Sequence, residues 1–332
     1  MARIAVIGAG LTGLVLAHGL RDAHAVTLFE KSRGCGGRMA TRYAGDYEFD
    51  HGAQFFTTRT AAFRDFLKPL IDAGQVAAWP ARFAELSGPE VTATRRWSDE
   101  YPHYVGVPRM NAIGRALAAG LDVHLETTVT EVTHSAAGWS LRGGIDGISA
   151  PLPGTYDMLL VTAPLVQTLR LVGEQPGLAD VVGDRSMLGC YALMLGFGET
   201  PATGFDAALV READVSWISV NSSKPGRNAA ATVVVHATNR WAEANMERSK
   251  DAVIEHMLSE VHRVSGIDGH AAAHCDVHRW RFANLPKQSG PRCFFDRRRG
   301  LGVAGDWWIR GRIEAAFVSA SALLAEIAAA ET

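Results

Sequence analysis

A glycine turn close to the N-terminus restricts the fold of this chain more than any other feature. The apolar segment Arg3–Ile7 leads directly into Gly8, and Gly10 and Gly13 follow at the spacing G-x-G-x-x-G. The residues from 11 to 21 have a helical pattern, so the turn joins a buried strand to a helix. Glycine at these positions lets the backbone turn tightly and lets a phosphate approach the unpaired N–H groups of the helix N-terminus. The pattern therefore predicts a βαβ unit that binds a dinucleotide.

An acidic residue follows where such a unit requires one. The segment Ala25–Phe29 predicts a second strand, and Glu30 comes directly after it. A carboxylate at this place accepts hydrogen bonds from both ribose hydroxyls, and it repels a 2′-phosphate, which argues against NADP. The alternative is a tight strand-to-helix turn that binds no ligand.

A second glycine-rich run comes immediately after the acid. It reads KSRGCGGR over residues 31–38. Gly37 lets the backbone approach a ligand closely, and the forked guanidinium of Arg38 can neutralise a phosphate. Two phosphate-facing elements on one chain indicate an extended dinucleotide that is held along its whole length, as FAD is, rather than an exchangeable NAD. A flexible surface loop is the alternative.

Length and composition narrow the class of protein. The chain has 332 residues and a net charge of −2, so two domains are expected, and nothing favours nonspecific binding to nucleic acid or to an anionic membrane. The four cysteines form no CxxC pair, which indicates free thiols in a reducing compartment. Residues 4–20 are interpreted as a buried strand and helix, and no other apolar run reaches the roughly 20 residues of a membrane span. We therefore expect a cytoplasmic protein.

The motifs of the first forty residues resemble those of the flavin amine oxidase group, which includes monoamine oxidases, protoporphyrinogen oxidases and phytoene desaturases. The strings DHGAQF (50–55), TTVTEV (127–132) and VAGD (303–306) are similar to the group's flavin-ring, adenine and C-terminal flavin segments. Within the group, the strings NSSKPGRN, HRW and AGDWWIRGRIEAA resemble bacterial renalase-like proteins. The resemblance runs along nearly the whole chain, and it is more specific in the FAD motifs than in the strings between them.

The resemblance implies which residues hold FAD. No cysteine follows Cys293 and no apolar tail ends the chain, so we expect the cofactor to be bound non-covalently. The implied FAD-binding residues are Gly8, Gly10, Leu11, Thr12, Gly13, Glu30, Lys31, Gly37, Arg38, Met39, Gly52, Ala53, Gln54, Phe55, Val129, Gly305, Asp306, Arg312, Ile313 and Ala315.

The predicted fold class is α/β, with a discontinuous Rossmann-like FAD-binding domain and an inserted mixed α+β substrate domain on an antiparallel sheet. The predicted FAD-binding domain comprises residues 1–60, 105–165 and 295–332, and the substrate domain comprises 61–104 and 166–294. Strand patterns near residues 190, 209, 217, 235 and 278 and a helical pattern over 251–264 support the substrate domain.

Two residues are candidates for the chemistry of the substrate domain. His236 lies in the apolar string VVHATNRW, and Trp280 lies in HRW, where it can stack on a flat substrate or on the flavin. Simple core packing is the alternative for both. Asn221, Lys224 and Arg227 belong to a turn that resembles the renalase string, and they are predicted to receive the phosphates of a dinucleotide substrate. A solvated hairpin turn is the alternative for these three.

A metal site is not expected. His270, His274 and His278 would share a face only on a continuous helix, whereas residues 276–281 read as a strand, and no carboxylate completes a familiar ligand set around Cys275.

The resemblance implies an FAD-dependent oxidase that takes hydride from the 2- or 6-dihydro isomers of NAD(P) and reduces O2 to H2O2. A dihydropyridine releases hydride directly and needs no general base. A flavin amine or amino-acid oxidase is the first alternative, and a non-enzymatic FAD-binding module is the second. The oligomeric state does not follow from the sequence.

Overall fold

The computed structural model describes residues 1–144 and 148–331, and the chain divides into two compact units. Both units are assembled from segments that are far apart in the sequence. Unit 1 comprises Met1–Arg38, Gly114–Met187 and Asn284–Thr332, and unit 2 comprises Met39–Ile113 and Leu188–Ala283.

This grouping differs from the predicted domain boundaries at four places. Residues 39–60 and 105–113 were assigned to the cofactor domain by the sequence but lie in unit 2, whereas 166–187 and 284–294 lie in unit 1. The reason for the first difference is a small apolar cluster, in which Phe49 packs against Met194 and Val234 of unit 2.

Unit 1 is built on a six-stranded sheet that contains the βαβ unit. All its neighbouring strands are parallel except the edge pair β19 and β20, and the order is β19-β20-β13-β1-β2-β9. The interior strand β1 is apolar and buried from its second residue onwards, as expected for a parallel strand covered on both faces. The strands are β1 (Arg3–Ile7), β2 (Ala25–Phe29), β9 (Asp122–His124), β13 (Met158–Val161), β19 (Phe294–Asp296) and β20 (Leu301–Val303).

A three-stranded antiparallel sheet and four helices complete unit 1. The sheet has the order β10-β11-β12 and pairs its strands as a meander. Its strands are β10 (Thr128–Ser135), β11 (Gly138–Gly144) and β12 (Ala150–Pro151), and the helices are α1 (Leu11–Leu20), α4 (Leu165–Val172), α5 (Leu178–Val182) and α8 (Ile313–Glu331).

Helix α8 corrects the prediction that no apolar run other than residues 4–20 reaches the length of a membrane span. By its length and composition this helix is apolar enough to cross a membrane. Leu323 and Ile327 are buried, and a Cβ atom on Gly19 of α1 would lie 2.6 Å from the side chain of Leu324. The helix is therefore closely packed on α1 within unit 1, and a core helix satisfies the same length and composition criteria.

Unit 2 contains a seven-stranded sheet in the order β18-β14-β17-β16-β15-β6-β7. The predicted antiparallel pairing holds for β14–β17, β17–β16 and β16–β15, but β15 and β6 are parallel. The sequence did not identify β6 and β7 as members of this sheet. The strands are β6 (Arg82–Ser87), β7 (Glu90–Arg96), β14 (Leu188–Phe197), β15 (Ala207–Arg211), β16 (Val215–Val220), β17 (Ala231–Ala237) and β18 (His274–Asn284).

The two faces of this sheet have different surroundings. One face carries Leu193, Val233 and Val235 and is covered by helix α7 (Lys250–Ser265), whose buried residues include Met257 and Val261. Because side chains alternate along a strand, the other face carries the residues between them. The remaining elements of unit 2 are β3 (Arg42–Ala44), β4 (Tyr47–Phe49), α2 (Ala61–Asp72), β5 (Val76–Ala78), β8 (Tyr104–Gly106) and α6 (Asn239–Ala244), and α3 (Asn111–Ala118) crosses the boundary between the units.

Candidate functional site

The glycine turn after β1 has the geometry that a phosphate site requires. Gly8 has a φ of +103°, and a Cβ atom on Gly13 would lie 2.0 Å from the carbonyl oxygen of Gly8, so only glycine fits at position 13. A Cβ atom on Gly10, in contrast, would meet nothing within 4 Å. Gly10 precedes α1, and no side chain caps this helix. Open space thus lies beside an uncapped helix N-terminus, which suits a pyrophosphate.

Glu30 is held in a fixed orientation by the backbone. The N–H groups of Ala9 and Ser32 donate to its two carboxylate oxygens, each at 2.8 Å. The side chain is buried, and each oxygen keeps a lone pair for a further donor such as a ribose hydroxyl. The N–H of Thr127 donates to the carbonyl of Glu30 at 2.9 Å, which brings the start of β10, with the buried Val129, next to the acid.

The second glycine run packs directly on the first. The N–H of Gly36 donates to the carbonyl of Ala9 at 2.8 Å, and a Cβ atom on Gly37 would lie 3.4 Å from the Cα atom of Gly10. Gly37 has a φ of +57°, which favours glycine. A Cβ atom on Gly114 would be 2.5 Å from the Cα atom of Gly36, so this loop is fixed from both sides. The run is therefore an ordered part of the glycine turn and not a free surface loop.

Two further predicted residues pair with each other at this place. The guanidinium of Arg38 lies 2.5 Å from the carboxylate of Asp306, which is buried. Gly305, just before it, donates its N–H to the hydroxyl of Ser319 in α8 at 2.9 Å. The C-terminal motif is thereby tied to the second glycine run, as an extended ligand bound by both would require.

The N-termini of α1 and α8 are neighbours. The hydroxyl of Thr12, in the first turn of α1, donates to the carbonyl of Ala316, in the first turn of α8, at 3.2 Å. Leu11 and Ala315 are buried beside them, and Ile313 is the first residue of α8. Both helix N-termini therefore offer partial positive charge, which would suit the phosphates of FAD or the negative charge that a flavin ring gains on reduction. Lys31 lies at the surface and donates to Gln167 at 3.2 Å, and Arg312 is exposed.

In unit 2, the acid of the segment DHGAQF is neutralised by two buried cations. Asp50 accepts from Arg227 at 2.5 Å and lies 3.4 Å from the ammonium of Lys224, and all three side chains have almost no exposed surface. Burial alone would raise the pKa of Asp50, but the two cations hold it below its usual range. Burial lowers the pKa of Lys224 to about 8.

This arrangement corrects the prediction for the turn at 221–227. Lys224 and Arg227 are internal partners of Asp50, so their charges are not available to an incoming phosphate, nor is the turn solvated. Asn221 is equally buried: its amide donates to the carbonyl of Glu48 at 2.9 Å and accepts from Lys224 at 2.9 Å. A carboxylate within an apolar string requires a cation nearby, and Asp50 is the signal from which this pairing could have been anticipated.

Gln54 connects this ion cluster to His236. Its amide oxygen accepts from Ser219 at 2.8 Å and from Lys224 at 3.2 Å. Its amide nitrogen lies 3.1 Å from the carbonyl of Gly52 and 3.4 Å from Nε2 of His236. The segment 50–55 thus packs on the face of the seven-stranded sheet opposite to α7. Gly52 and Ala53 are half-buried there, and Gln54 is buried. Met39, at the start of unit 2, is also buried.

The two predicted catalytic residues meet at His51. The indole N–H of Trp280 donates to the carbonyl of His51 at 2.9 Å, and Nε2 of His236 lies 3.3 Å from the same oxygen. The ring of His51 stacks on Trp280 with a centroid distance of 5.1 Å, and His278 contacts both rings edge-on. We call His51, His236, His278 and Trp280 the histidine cluster. The sequence identified two of its four members.

The histidine cluster is uncharged at neutral pH. Burial lowers the pKa of His51 to about 3, and the neighbouring His278 and Arg42 add to this effect. Burial also lowers the pKa of His236 to about 4. For His278, burial and the guanidinium of Arg42, 3.0 Å from its Nδ1, lower the pKa to about 4.

No metal centre is found among residues 1–144 and 148–331: no group of three or more His, Cys, Asp or Glu side chains there is arranged to hold an ion. His274 and His278 lie on β18, and His270 lies in a separate short helical turn.

Comparison with protein families assigns the two parts of the chain. Residues 6–70 match the NAD(P)-binding Rossmann-like domain, and residues 76–322 match the flavin-containing amine oxidoreductase family. The second match covers most of the chain. This protein belongs to the flavin-containing amine oxidoreductase family. It is an FAD-dependent oxidoreductase, and the Rossmann-like fold with an inserted substrate domain agrees with the predicted fold class.

Several solved structures share the fold of this oxidoreductase. A candidate protoporphyrinogen oxidase from Exiguobacterium sp. 255-15 superposes with a TM-score of 0.75 at 12% identity, covering 98% of each chain. A triple mutant of putrescine oxidase gives 0.72 at 13% identity over 99% of each chain. Cyclohexylamine oxidase from Brevibacterium oxydans IH-35A gives 0.72 at 12% identity over 98% of each chain. At this identity the similarity describes the fold.

Sequence reasoning missed a group of rings beside Phe55 in this oxidoreductase. The ring of Phe55 lies 4.9 Å from Trp97, 5.0 Å from His103 and 5.3 Å from Trp217, measured between centroids. Trp217 is directly opposite His236 in the pairing of β16 and β17. The alternation of β16 would have placed Trp217 and Ser219 on one face, but nothing in the sequence indicates that Trp97 and His103 join them.

Proposed function

We propose that this oxidoreductase is an oxidase that takes hydride from a dihydronicotinamide dinucleotide, with the 2- and 6-dihydro isomers of NAD(P) as its substrates, and reduces O2 to H2O2. The histidine cluster is the observation that carries the proposal. It offers flat rings and hydrogen-bonding groups without a charged acid or base at neutral pH.

Such a site suits the release of a hydride from carbon. The balanced reaction consumes one dihydronicotinamide, one proton and one O2, and it yields one NAD(P)+ and one H2O2. FAD, when bound without a covalent link, supplies the group that accepts the hydride and passes both electrons to oxygen. The protein residues need only position the ring and keep the site uncharged. Trp280 offers a face for stacking, and His236 offers a neutral nitrogen within 3.4 Å of Gln54.

The charges around the cluster favour an anionic substrate over an ammonium ion. Arg42 lies against His278 and 3.8 Å from Asp276, a carboxylate that also pairs with Lys250. The carboxylate of Asp50 is likewise neutralised by two cations, so cations outnumber acids in both groups. An ammonium substrate would have to lose a proton before oxidation, and histidines with pKa values of about 3 and 4 are weak bases at neutral pH. A dinucleotide carries phosphates that a guanidinium attracts.

An amine oxidase is the second candidate, because family membership and the fold of putrescine and cyclohexylamine oxidases favour it. The two candidates differ in which donor reduces the flavin. Anaerobic rapid mixing of the holoenzyme with each dihydro isomer of NAD and NADP, and separately with putrescine, cyclohexylamine and benzylamine, decides between them. We expect the 2- and 6-dihydro isomers to bleach the flavin and to give one H2O2 per NAD(P)+ when oxygen is admitted. Bleaching by an amine alone would overturn the proposal.

A pair of variants tests the role of charge. Arg42→Gln should weaken binding of the dinucleotide by about three- to tenfold, because one interaction between opposite charges is lost. Arg281→Gln is the matched control, since Arg281 lies on the same strand as His278 but is exposed and pairs with Glu247 at 2.9 Å. Equal effects of the two substitutions would contradict a specific role for Arg42.

A further inference from the structure

A second group of rings lies on the same face of the seven-stranded sheet as His236. We call Phe55, Trp97, His103 and Trp217 the aromatic corner. Trp97 and His103 are stacked at a centroid distance of 3.7 Å with nearly parallel planes, and both Trp97 and Trp217 also contact Phe83. Phe55, His103 and Trp217 are only half-buried, whereas Trp97 is buried beneath them.

The aromatic corner contains a polar group that has no partner. The indole Nε1 of Trp217 is buried, and it makes no hydrogen bond to any described residue. A buried N–H without an acceptor destabilises the protein, so such groups are usually satisfied by a ligand or by water. Trp217 is the direct cross-strand neighbour of His236, which places this donor beside the histidine cluster.

Two charged groups near the corner, Arg95 and Glu85, are paired with each other. Arg95 lies over the ring of Phe83 at 4.4 Å and bonds to Glu85 at 2.7 Å. Burial and the charge of Arg95 lower the pKa of His103, so this ring is neutral at physiological pH. The corner therefore combines aromatic faces with the unused donor of Trp217, and none of its four residues is an acid that would select a cation.

We propose that the aromatic corner binds the flat, amide-bearing ring of the substrate, and that the N–H of Trp217 donates to the amide oxygen of that ring. Identifying this ring as the dihydronicotinamide rests on the proposed function. The corner thereby selects a neutral ring with an acceptor, whereas π-faces alone would also accept an ammonium ion.

Two probes of similar size separate these possibilities without turnover. Benzamide has a ring and an amide oxygen, and benzylamine has a ring and, as its ammonium ion, only donors. Calorimetric titration of the holoenzyme should show that Trp217→Phe weakens binding of benzamide about fivefold, because one neutral hydrogen bond is lost. The affinity for benzylamine should change by less than about twofold. Trp217→Leu should weaken both probes, because it also removes the aromatic face.

Trp241→Phe is the matched control. It makes the same chemical change in the same unit, but Trp241 belongs to the apolar cluster on the covered face of the sheet. We expect it to leave the affinity of both probes unchanged. Flavin content and melting temperature of each variant show whether the fold is intact. If Trp217→Phe binds benzamide as well as the parent protein does, or if the parent protein binds no benzamide, the inference is overturned.

The result is separable from the outcome for the proposed function. In one outcome, only amines reduce the flavin, and Trp217→Phe selectively lowers the affinity for benzamide. That result would support the aromatic corner as a site for an amide-bearing ring and would refute the dihydronicotinamide substrate. A protein that is reduced by dihydronicotinamides, with equal Michaelis constants in parent and Trp217→Phe enzymes, would support the proposed function and refute the role of Trp217.

Discussion

Unit 1 and unit 2 build their sites by different means. In unit 1, the residues that suit FAD are glycines, helix N-termini and one acid held by backbone N–H groups, and most of them lie within the first 38 residues. In unit 2, the site consists of side chains from segments near residues 50, 100, 220, 236 and 280. The site in unit 1 depends on glycines that have no side chain, so an added methyl group should obstruct the ligand. The site in unit 2 depends on its side chains, so removal of a side chain should damage it. Substitutions in the two units should therefore have different effects.

The largest effect should come from the ion cluster of unit 2. Asp50→Ala leaves Lys224 and Arg227 buried without their counter-charge, and removal of one partner from a buried ion pair costs about 3–5 kcal/mol. We expect the free energy of unfolding to fall by that amount in urea titrations of the holoenzyme. Asp72→Asn is the control, since its pair with Lys68 on α2 is exposed and should be worth less than about 1 kcal/mol. Similar losses for the two variants would mean that the buried cluster is not special.

The histidine cluster should make stability depend on pH. His236 titrates near 6.5 when unfolded and near 4 when folded, so between these values the unfolded chain binds the extra proton. Stability is therefore complete above pH 6.5 and is lost as the pH falls towards 4, by roughly 3 kcal/mol for this histidine. His236→Asn should flatten that slope, which urea midpoints across this pH range measure. An unchanged slope would show that His236 is protonated in the folded protein.

The glycine turn should fail by losing its cofactor and not its fold. Gly10 has extended backbone angles, and a Cβ atom there meets nothing in the protein, so Gly10→Ala should leave the stability of the apoprotein unchanged. The methyl group would occupy space that the pyrophosphate needs. This should weaken the binding of FAD by about 2 kcal/mol, which corresponds to a roughly thirtyfold higher Kd. Fluorescence titration of the apoprotein with FAD measures this change. Gly34→Ala, in the second glycine run, also meets nothing within 4 Å and is the control.

The smallest effect should come from Glu30→Gln. The amide retains one oxygen for a backbone donor but loses the charge that strengthens hydrogen bonds to ribose hydroxyls. We expect FAD to bind about fivefold more weakly, a difference of about 1 kcal/mol. The same titration measures it, with Glu326→Gln on an exposed part of α8 as the control. An unaltered Kd in Glu30→Gln would show that the carboxylate does not meet the ribose.

The difference between the units also explains which parts of the structure could be predicted from the sequence. Strands β1 and β2 and the start of α1 agree with the sequence prediction because a βαβ unit is specified by contiguous residues. Strands β15 and β16 were also predicted correctly from the local sequence pattern. A local sequence pattern is sufficient to identify a strand or a helix when the turns beside it in the sequence have a clearly different composition.

Pairings between distant residues could not be derived in this way. Strand β7 has seven exposed residues and no apolar alternation, and it joins the sheet only through β6, which pairs with β15 more than a hundred residues later. Lys224 was predicted to receive a phosphate of the substrate, and only the tertiary structure places Asp50 beside it. The same holds for His51, whose role depends on the rings of β18.

The contact between α1 and α8 has a consequence for biosynthesis. Helix α1 packs against α8, and strand β1 pairs with β13, which in turn pairs with β20. The glycine turn before α1 is therefore translated about three hundred codons before α8. We expect the part of the nucleotide site that involves α8 to form only after that helix has been made.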